Sequence, residues 1–342
     1  MRIIMRTKIL YLLLFLTNYQ FAFSDDTFIL FGAGGVTLPD ENIIKINNVE
    51  LVNEKIGIEL QNNQYKVNVL FDFYNPGPNV LYNIGFPLKS EHNGILNLEK
   101  KIPIDGFITT VNGKISHFHY TTKTREKNIE GWFLKTVEFN SNAHTLITIS
   151  YNSDYGSISN SLYATYYFGT GKNWKGTIQD LEITIRNNSN LVAWNCTINP
   201  INENTQETIS LLSANETKLV YRNIKPTIDD EFRIKASKFP DLDLWQGEFG
   251  SIAYNIRDLI LLTQSQLRTY RNAIYAEHGY IFKSKDLREL FSDPKMKWLD
   301  NWYQPKLHDV EDLLTNTEKS NIKIIKQLEV LRKERIANFT QK

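Results

Sequence analysis

The chain has 342 residues, 39 Lys+Arg against 38 Asp+Glu, a formal charge of +1 and one cysteine. That balance gives no general attraction to nucleic acid or to an anionic membrane, and a single thiol excludes an internal disulfide. The length is ample for two domains of roughly 100–200 residues each, so packing alone can hold the fold.

The first 24 residues read as a secretory leader. Arg2, Arg6 and Lys8 form a positive head, Ile9 to Leu16 is an unbroken apolar run, and Ala22-Phe23-Ser24 places small residues one and three positions before Asp25. Head, short apolar middle and small-x-small site together specify cleavage after export. A bilayer span takes about 20 apolar residues, more than this run offers. The mature protein is therefore expected to be exported (periplasmic, cell-surface or secreted) and not membrane-spanning after cleavage.

From 25 to 224 the pattern is short and two-periodic. Val67, Val69, Phe71 and Phe73 fall on one face of a strand, Asn75-Pro76-Gly77-Pro78 turns the chain, and Val80, Tyr82, Ile84 and Phe86 alternate on the return. This predicts a hairpin with one buried face. Similar runs lie at Ile102–Thr110, Trp132–Phe139, Thr145–Tyr151, Ile178–Arg186 and Thr208–Val220. Many short strands with no helical run between them predict an antiparallel β-sandwich or barrel. The glycines of Phe31–Gly35 lack a following helix that would make them a phosphate cradle, and they read as a turn. Residues 225–262, with Pro226, Pro240 and Gly247, read as connecting structure that ends in a short helix over Asn255–Leu262.

The period changes at 263. Thr263-x-x-Gln266 is a capping box, Leu267, Tyr270 and Ile274 share one helical face, and Gly279 stands where a left-handed cap ends the helix. A second helix is predicted after Ser284, with Leu287, Leu290 and Phe291. A third starts at the capping box Thr315-x-x-Glu318 and carries Ile322, Ile325, Leu328 and Leu331 on its apolar side. Residues 263–342 thus form a three-helix module, and the fold class is α+β with two domains. This module holds 15 Lys+Arg and 11 Asp+Glu, a surplus that suits either an acidic envelope surface or a solvated helix face.

The stretch Leu267-Arg268-Thr269-Tyr270-Arg271-Asn272-Ala273-Ile274-Tyr275-Ala276-Glu277-His278-Gly279-Tyr280-Ile281-Phe282 resembles the YARHG domain, a bacterial module expected outside the cytoplasm and named for its pentapeptide. The resemblance continues through Leu287, Phe291, Trp302-Tyr303 and Pro305 to Ile322. Glu277 stands where the family has arginine. The family carries no established chemistry, so the resemblance implies location and fold more than activity. Tyr166 to Ile178 and Val80 to Leu88 resemble, more loosely, landmarks of a bacterial exported β-domain family of unknown function.

Two readings of the helical motif stay open. Arg271, Asn272 and His278 can tie loop carbonyls and helix ends together, since buried polar groups need partners. Alternatively Arg271, Asn272, Tyr275, His278, Trp302 and Tyr303 form a ligand site, with aromatics and a guanidinium suited to sugar or peptide. His117 and His119 would share one strand face and could begin a metal site, but no pattern supplies the third or fourth ligand. Cys196 reads as buried filler before nucleophile. No catalytic set and no cofactor motif emerges. The expectation is an exported, non-enzymatic binding protein whose helical module contacts wall polymer or an envelope protein. A structural module with no external ligand and a metal-dependent hydrolase are the alternatives.

Overall fold

The computed structural model describes residues 28–39, 47–93, 104–122, 129–158, 161–199, 206–227, 230–238, 252–293 and 303–340. The predicted leader and Trp302 lie outside the described residues. The strands are Phe28–Gly34 (β1), Glu50–Leu60 (β2), Gln64–Asn75 (β3), Val80–Asn93 (β4), Ile104–Val111 (β5), Lys114–Ile115 (β6), His119–Thr121 (β7) and Ile129–Phe139 (β8). They continue with Ala143–Asp154 (β9), Gly156–Ile158 (β10), Ser161–Tyr167 (β11), Ile178–Asn187 (β12), Leu191–Asn199 (β13), Gln206–Leu211 (β14), Glu216–Ile224 (β15) and Glu231–Lys238 (β16). The helices are Ile256–Leu259 (α1), Gln264–Glu277 (α2), Lys285–Ser292 (α3) and Asn316–Thr340 (α4).

The strands form two sheets, ordered β13-β16-β11-β10-β1-β4-β8-β7 and β14-β15-β12-β2-β3-β9-β5-β6. Their inner faces meet. Tyr65 Oη on β3 donates to the Thr165 carbonyl on β11 at 3.0 Å, and Phe73 meets Phe139 across the interface with centroids 5.7 Å apart. Alternation drives this arrangement, because in β3 Tyr65, Val67, Val69, Phe71 and Phe73 are all buried while the residues between them face outward. The chain is thus mostly β and then helical, as its periodicity predicts. Ladders are antiparallel apart from β1–β11 and β2–β12, which are parallel.

Three local expectations change. The turn at Asn75–Pro78 does not close a hairpin: β3 pairs with β2 and β9, and β4 with β1 and β8, so the chain crosses from one sheet to the other. Two prolines remove ladder donors there, and Asn75 Nδ2 fixes the corner by donating to the carbonyls of Pro78 and Phe139 at 2.8 and 2.9 Å. Residues 231–238, read as connecting structure, form β16, which lies between β13 and β11. The glycine run is the end of β1, where Gly32 and Ala33 pair with both β11 and β4 and Gly34 with β11.

A β-bulge between Leu51 and Asn53 shifts the phase of β2. Downstream of it Glu54, Ile56, Ile58 and Leu60 all point inward. Glu54 is therefore a carboxyl in the interior, 1% exposed, accepting from Tyr166 Oη at 2.7 Å. Burial pushes it up to about 8, against the lowering effect of the tyrosine hydroxyl. Gly35 makes room for this group. A Cβ there would lie 2.8 Å from Thr170 Oγ1, 3.2 Å from Tyr166 Oη and 3.4 Å from Glu54 Oε1.

The helical module is docked on the sheet ends formed by β13, β14 and β15. Arg257 of α1 pairs with Glu207 of β14, whose carboxylate also accepts from Tyr221 Oη at 2.7 Å. Thr217 Oγ1 donates to the Ile260 carbonyl at 3.3 Å. Arg332 of α4, 2% exposed, donates to the carbonyls of Ala214 at 2.6 Å and Ile260 at 2.5 Å. Body and module share one continuous apolar core.

Candidate functional site

The site is built from α2 outward. Thr263 Oγ1 accepts from the Gln266 N–H while Gln266 Oε1 accepts from the Thr263 N–H, closing the predicted capping box. Leu267, Tyr270, Ala273, Ile274 and Ala276 then bury one face. Arg268, Arg271, Tyr275 and His278 form a polar stripe at helical spacing, and each meets a carboxylate from another element of the module. Arg268 pairs with Asp286 of α3 at 2.5 Å. Arg271 Nε lies 3.1 Å from Glu329 Oε2 of α4, an ion pair that falls short of hydrogen-bond geometry. Tyr275 Oη donates to Glu311 at 3.2 Å. His278 Nε2 lies 2.8 Å from Glu318 Oε1. Asn272 Nδ2 turns back to the Arg268 carbonyl at 2.7 Å.

Gly279 ends the helix with a φ of +75°, a left-handed conformation that favours glycine. It has a second reason to lack a side chain, since a Cβ would lie 2.6 Å from the Gln304 carbonyl oxygen. The Gly279 carbonyl accepts from the N–H groups of Lys306 and Leu307, and Ile281 N–H returns to the Leu307 carbonyl. Tyr303 Oη donates to the Tyr280 carbonyl at 3.1 Å. The segment after α2 is thereby tied to the segment before α4.

Charge is uneven around this joint. Glu277 is pushed up to about 7, first by burial and then by the charge of Glu318. Burial raises Glu318 too, but hydrogen bonds from the Thr315 backbone and His278 outweigh it and hold it below the ordinary carboxylate range. The two neighbours thus separate into a proton-holding acid and an ionised base. Thr315 N–H donates to Glu318 Oε2 at 2.6 Å, so the carboxylate that meets His278 also caps α4.

A cleft of about 920 Å³ opens beside α4. Tyr275, Glu311 and Leu314 form one wall, and α4 lines the other from Lys319 to Glu334. Its floor is apolar, with Ile256, Val330 and Leu331 respectively 42%, 55% and 46% exposed. Leu331 was expected on the buried side of α4. The buried stripe instead runs Asn321, Ile325, Leu328, Arg332, because steps of four, three and four residues return to the same face. Leu331 sits about 100° away, on the cleft.

Sequence comparison places residues 251–330 against the YARHG domain profile, over the pentapeptide, the three-helix frame and most of α4. This part of the chain is a YARHG domain. Its pentapeptide reads Tyr275-Ala276-Glu277-His278-Gly279, with glutamate in the arginine position. Of the predicted site residues that are described, the YARHG domain brings only Tyr275 to the cleft. Arg271, Asn272 and His278 are engaged within the domain, and Tyr303 serves the Tyr280 carbonyl.

Among solved structures, a Legionella pneumophila protein provisionally described as nutrient binding aligns over 89% of this chain and 100% of its own, at 19% identity and TM-score 0.53. That likeness is one of fold. An M1 zinc metallopeptidase from Deinococcus radiodurans aligns over 55% of this chain and 42% of its own, at 7% identity and TM-score 0.30. The chain therefore spans less than half of that peptidase. No curated protein matches in sequence.

His117 lies before β7 and His119 opens it, both exposed. Among the described residues no group of three or more His, Cys, Asp or Glu could hold a metal ion. Cys196 is buried, its Sγ facing the Arg257 carbonyl at 3.4 Å, and burial pushes the thiol up to about 12. Arg332 and Glu54 were not foreseen. A charged residue at an inward position of an otherwise apolar stripe is the one signal that could have found them.

Proposed function

We propose that this chain is an exported, non-enzymatic binding protein of the bacterial cell envelope, whose YARHG domain contacts wall polymer or another envelope protein. The cleft beside α4 carries the reading. It is an open, largely apolar groove in the size range of ligand sites, on a surface where apolar residues stand exposed next to one another. The leader supports export, and no helix among the described residues is long and apolar enough to cross a membrane. The fold-level likeness to the Legionella protein is compatible with a binding role.

The internal ties of Arg271, Asn272 and His278 favour a second reading for those residues, that they hold the YARHG domain together and meet no ligand. The two readings then divide the domain between a polar frame and an apolar cleft. The test is retention of the full mature protein on purified peptidoglycan sacculi and on immobilised envelope proteins at physiological salt. Saturable retention on one of them, weakened by Leu331→Asp, is expected. No retention on either would remove the binding role and leave a purely structural module.

A further inference from the structure

Resting on that reading, we infer that the occupant of the cleft is an acidic amphipathic helix of a partner protein, laid alongside α4, and not a wall glycan. Three observations point the same way. The first is length. The lining of α4 runs from Lys319 to Glu334, roughly 22 Å at 1.5 Å per residue, or about four helical turns. An apolar groove running along a helix is the shape that takes a second helix by its i, i+3, i+4, i+7 anchors.

The second is charge. Lys319, Lys323 and Lys326 follow one another at helical spacing along the cleft edge. None of the three side chains has an ion-pair or hydrogen-bond partner among the described residues, whereas Arg268, Arg271, Lys285 and Arg332 are each engaged within the protein. A row of unengaged cations beside an apolar floor is complementary to a helix with a leucine-type stripe flanked by carboxylates. Glu334 at the far end sets a direction, with the acidic turns of the partner lying towards Lys319.

The third is the scarcity of aromatic faces. Among the described residues Tyr275 is the single aromatic in the lining, and its hydroxyl is held by Glu311. Sugar recognition by stacking has one described platform here, where an apolar peptide face has the exposed Ile256, Val330 and Leu331 to cover.

The experiment uses the full mature chain and fluorescence anisotropy with labelled synthetic helices of about 18 residues, roughly 27 Å long. One carries leucines on one stripe and glutamates on its flanks. A second has lysine in place of every glutamate, and a third has the acidic composition in scrambled order. Soluble muropeptides and phosphatidylglycerol vesicles are separate arms. The acidic amphipathic helix should bind saturably and at least about tenfold more tightly than either control. Val330→Asp, at a half-exposed position that leaves the core untouched, should weaken it by about tenfold or more. Lys323→Glu should weaken the acidic helix and strengthen the basic one. Equal binding of acidic and scrambled peptides, indifference to Val330→Asp, or binding of muropeptides or vesicles alone would overturn the inference. Envelope retention of the wild type separates the two levels: retention with silent peptides refutes this occupant only, and its loss refutes the binding reading as well.

Discussion

Replacing Glu54 by glutamine should make the protein more stable at alkaline pH and remove most of the pH dependence between 5 and 8.5. The carboxyl is held at about 8 against an ordinary 4.5. Each tenfold difference in proton affinity is about 1.4 kcal/mol, so burying it in place of leaving it ionised in the unfolded chain costs about 5 kcal/mol well above pH 8. The sign follows from proton counting. Between 4.5 and 8 the native state keeps a proton that the unfolded chain has released, so stability is full below 4.5 and drains away as pH rises through 8. From pH 5 to 8.5 the loss is about 4 kcal/mol, or a fall of about 1 M in urea midpoint at a slope of ~3 kcal/mol/M. Glutamine is close in shape, keeps an oxygen to accept from Tyr166, and cannot ionise. Urea titrations of both proteins at pH 5, 7 and 8.5 would measure it. Parallel pH profiles for the two would refute the assignment of Glu54 as a neutral acid between the sheets.

Other perturbations test the module and its docking. Arg332→Met keeps the bulk of the side chain but leaves the Ala214 and Ile260 carbonyls without their donor; a loss of about 2–4 kcal/mol by thermal unfolding is expected. Gly279→Ala should cost about 2–3 kcal/mol, because it meets both the positive φ and the Gln304 carbonyl; unchanged melting would contradict the tight joint after α2. Glu277→Gln should stabilise by about 1–2 kcal/mol at pH 8 and by little at pH 5, a discounted figure for a partly exposed group held at about 7. Thr315→Ala should remove about 1 kcal/mol by opening the α4 capping box, detectable as faster amide exchange in its first turn.

Much of this architecture was legible because periodicity records which face is buried. The β3 stripe, both capping boxes of the helical module and the left-handed Gly279 are all written in the local sequence. Sheet membership could not. The Asn75–Pro78 corner looks the same locally whether it joins neighbours or crosses between layers, and only the partners of β3 and β4 distinguish them. Residues 231–238 were hidden by the prolines and the acidic run around them, which resemble linker chemistry. The polar frame of α2 was foreseeable as residue types but not as pairs, since its partners Glu311, Glu318 and Glu329 are donated by distant sequence. Arg332 and Glu54 escaped because each breaks the apolar pattern that defines its own element, and both are accommodated through contacts made far along the chain.

The seating of Arg332 has a mechanical corollary. Val330 and Leu331 face the groove while the very next residue grips the β14–β15 turn through Ala214. Any guest that presses on this half-turn of helix therefore bears directly on the body of the protein, with no hinge in between to absorb the load. The groove and its foundation are neighbours in sequence, so excising the module at its boundary would cut away the ground on which that groove stands.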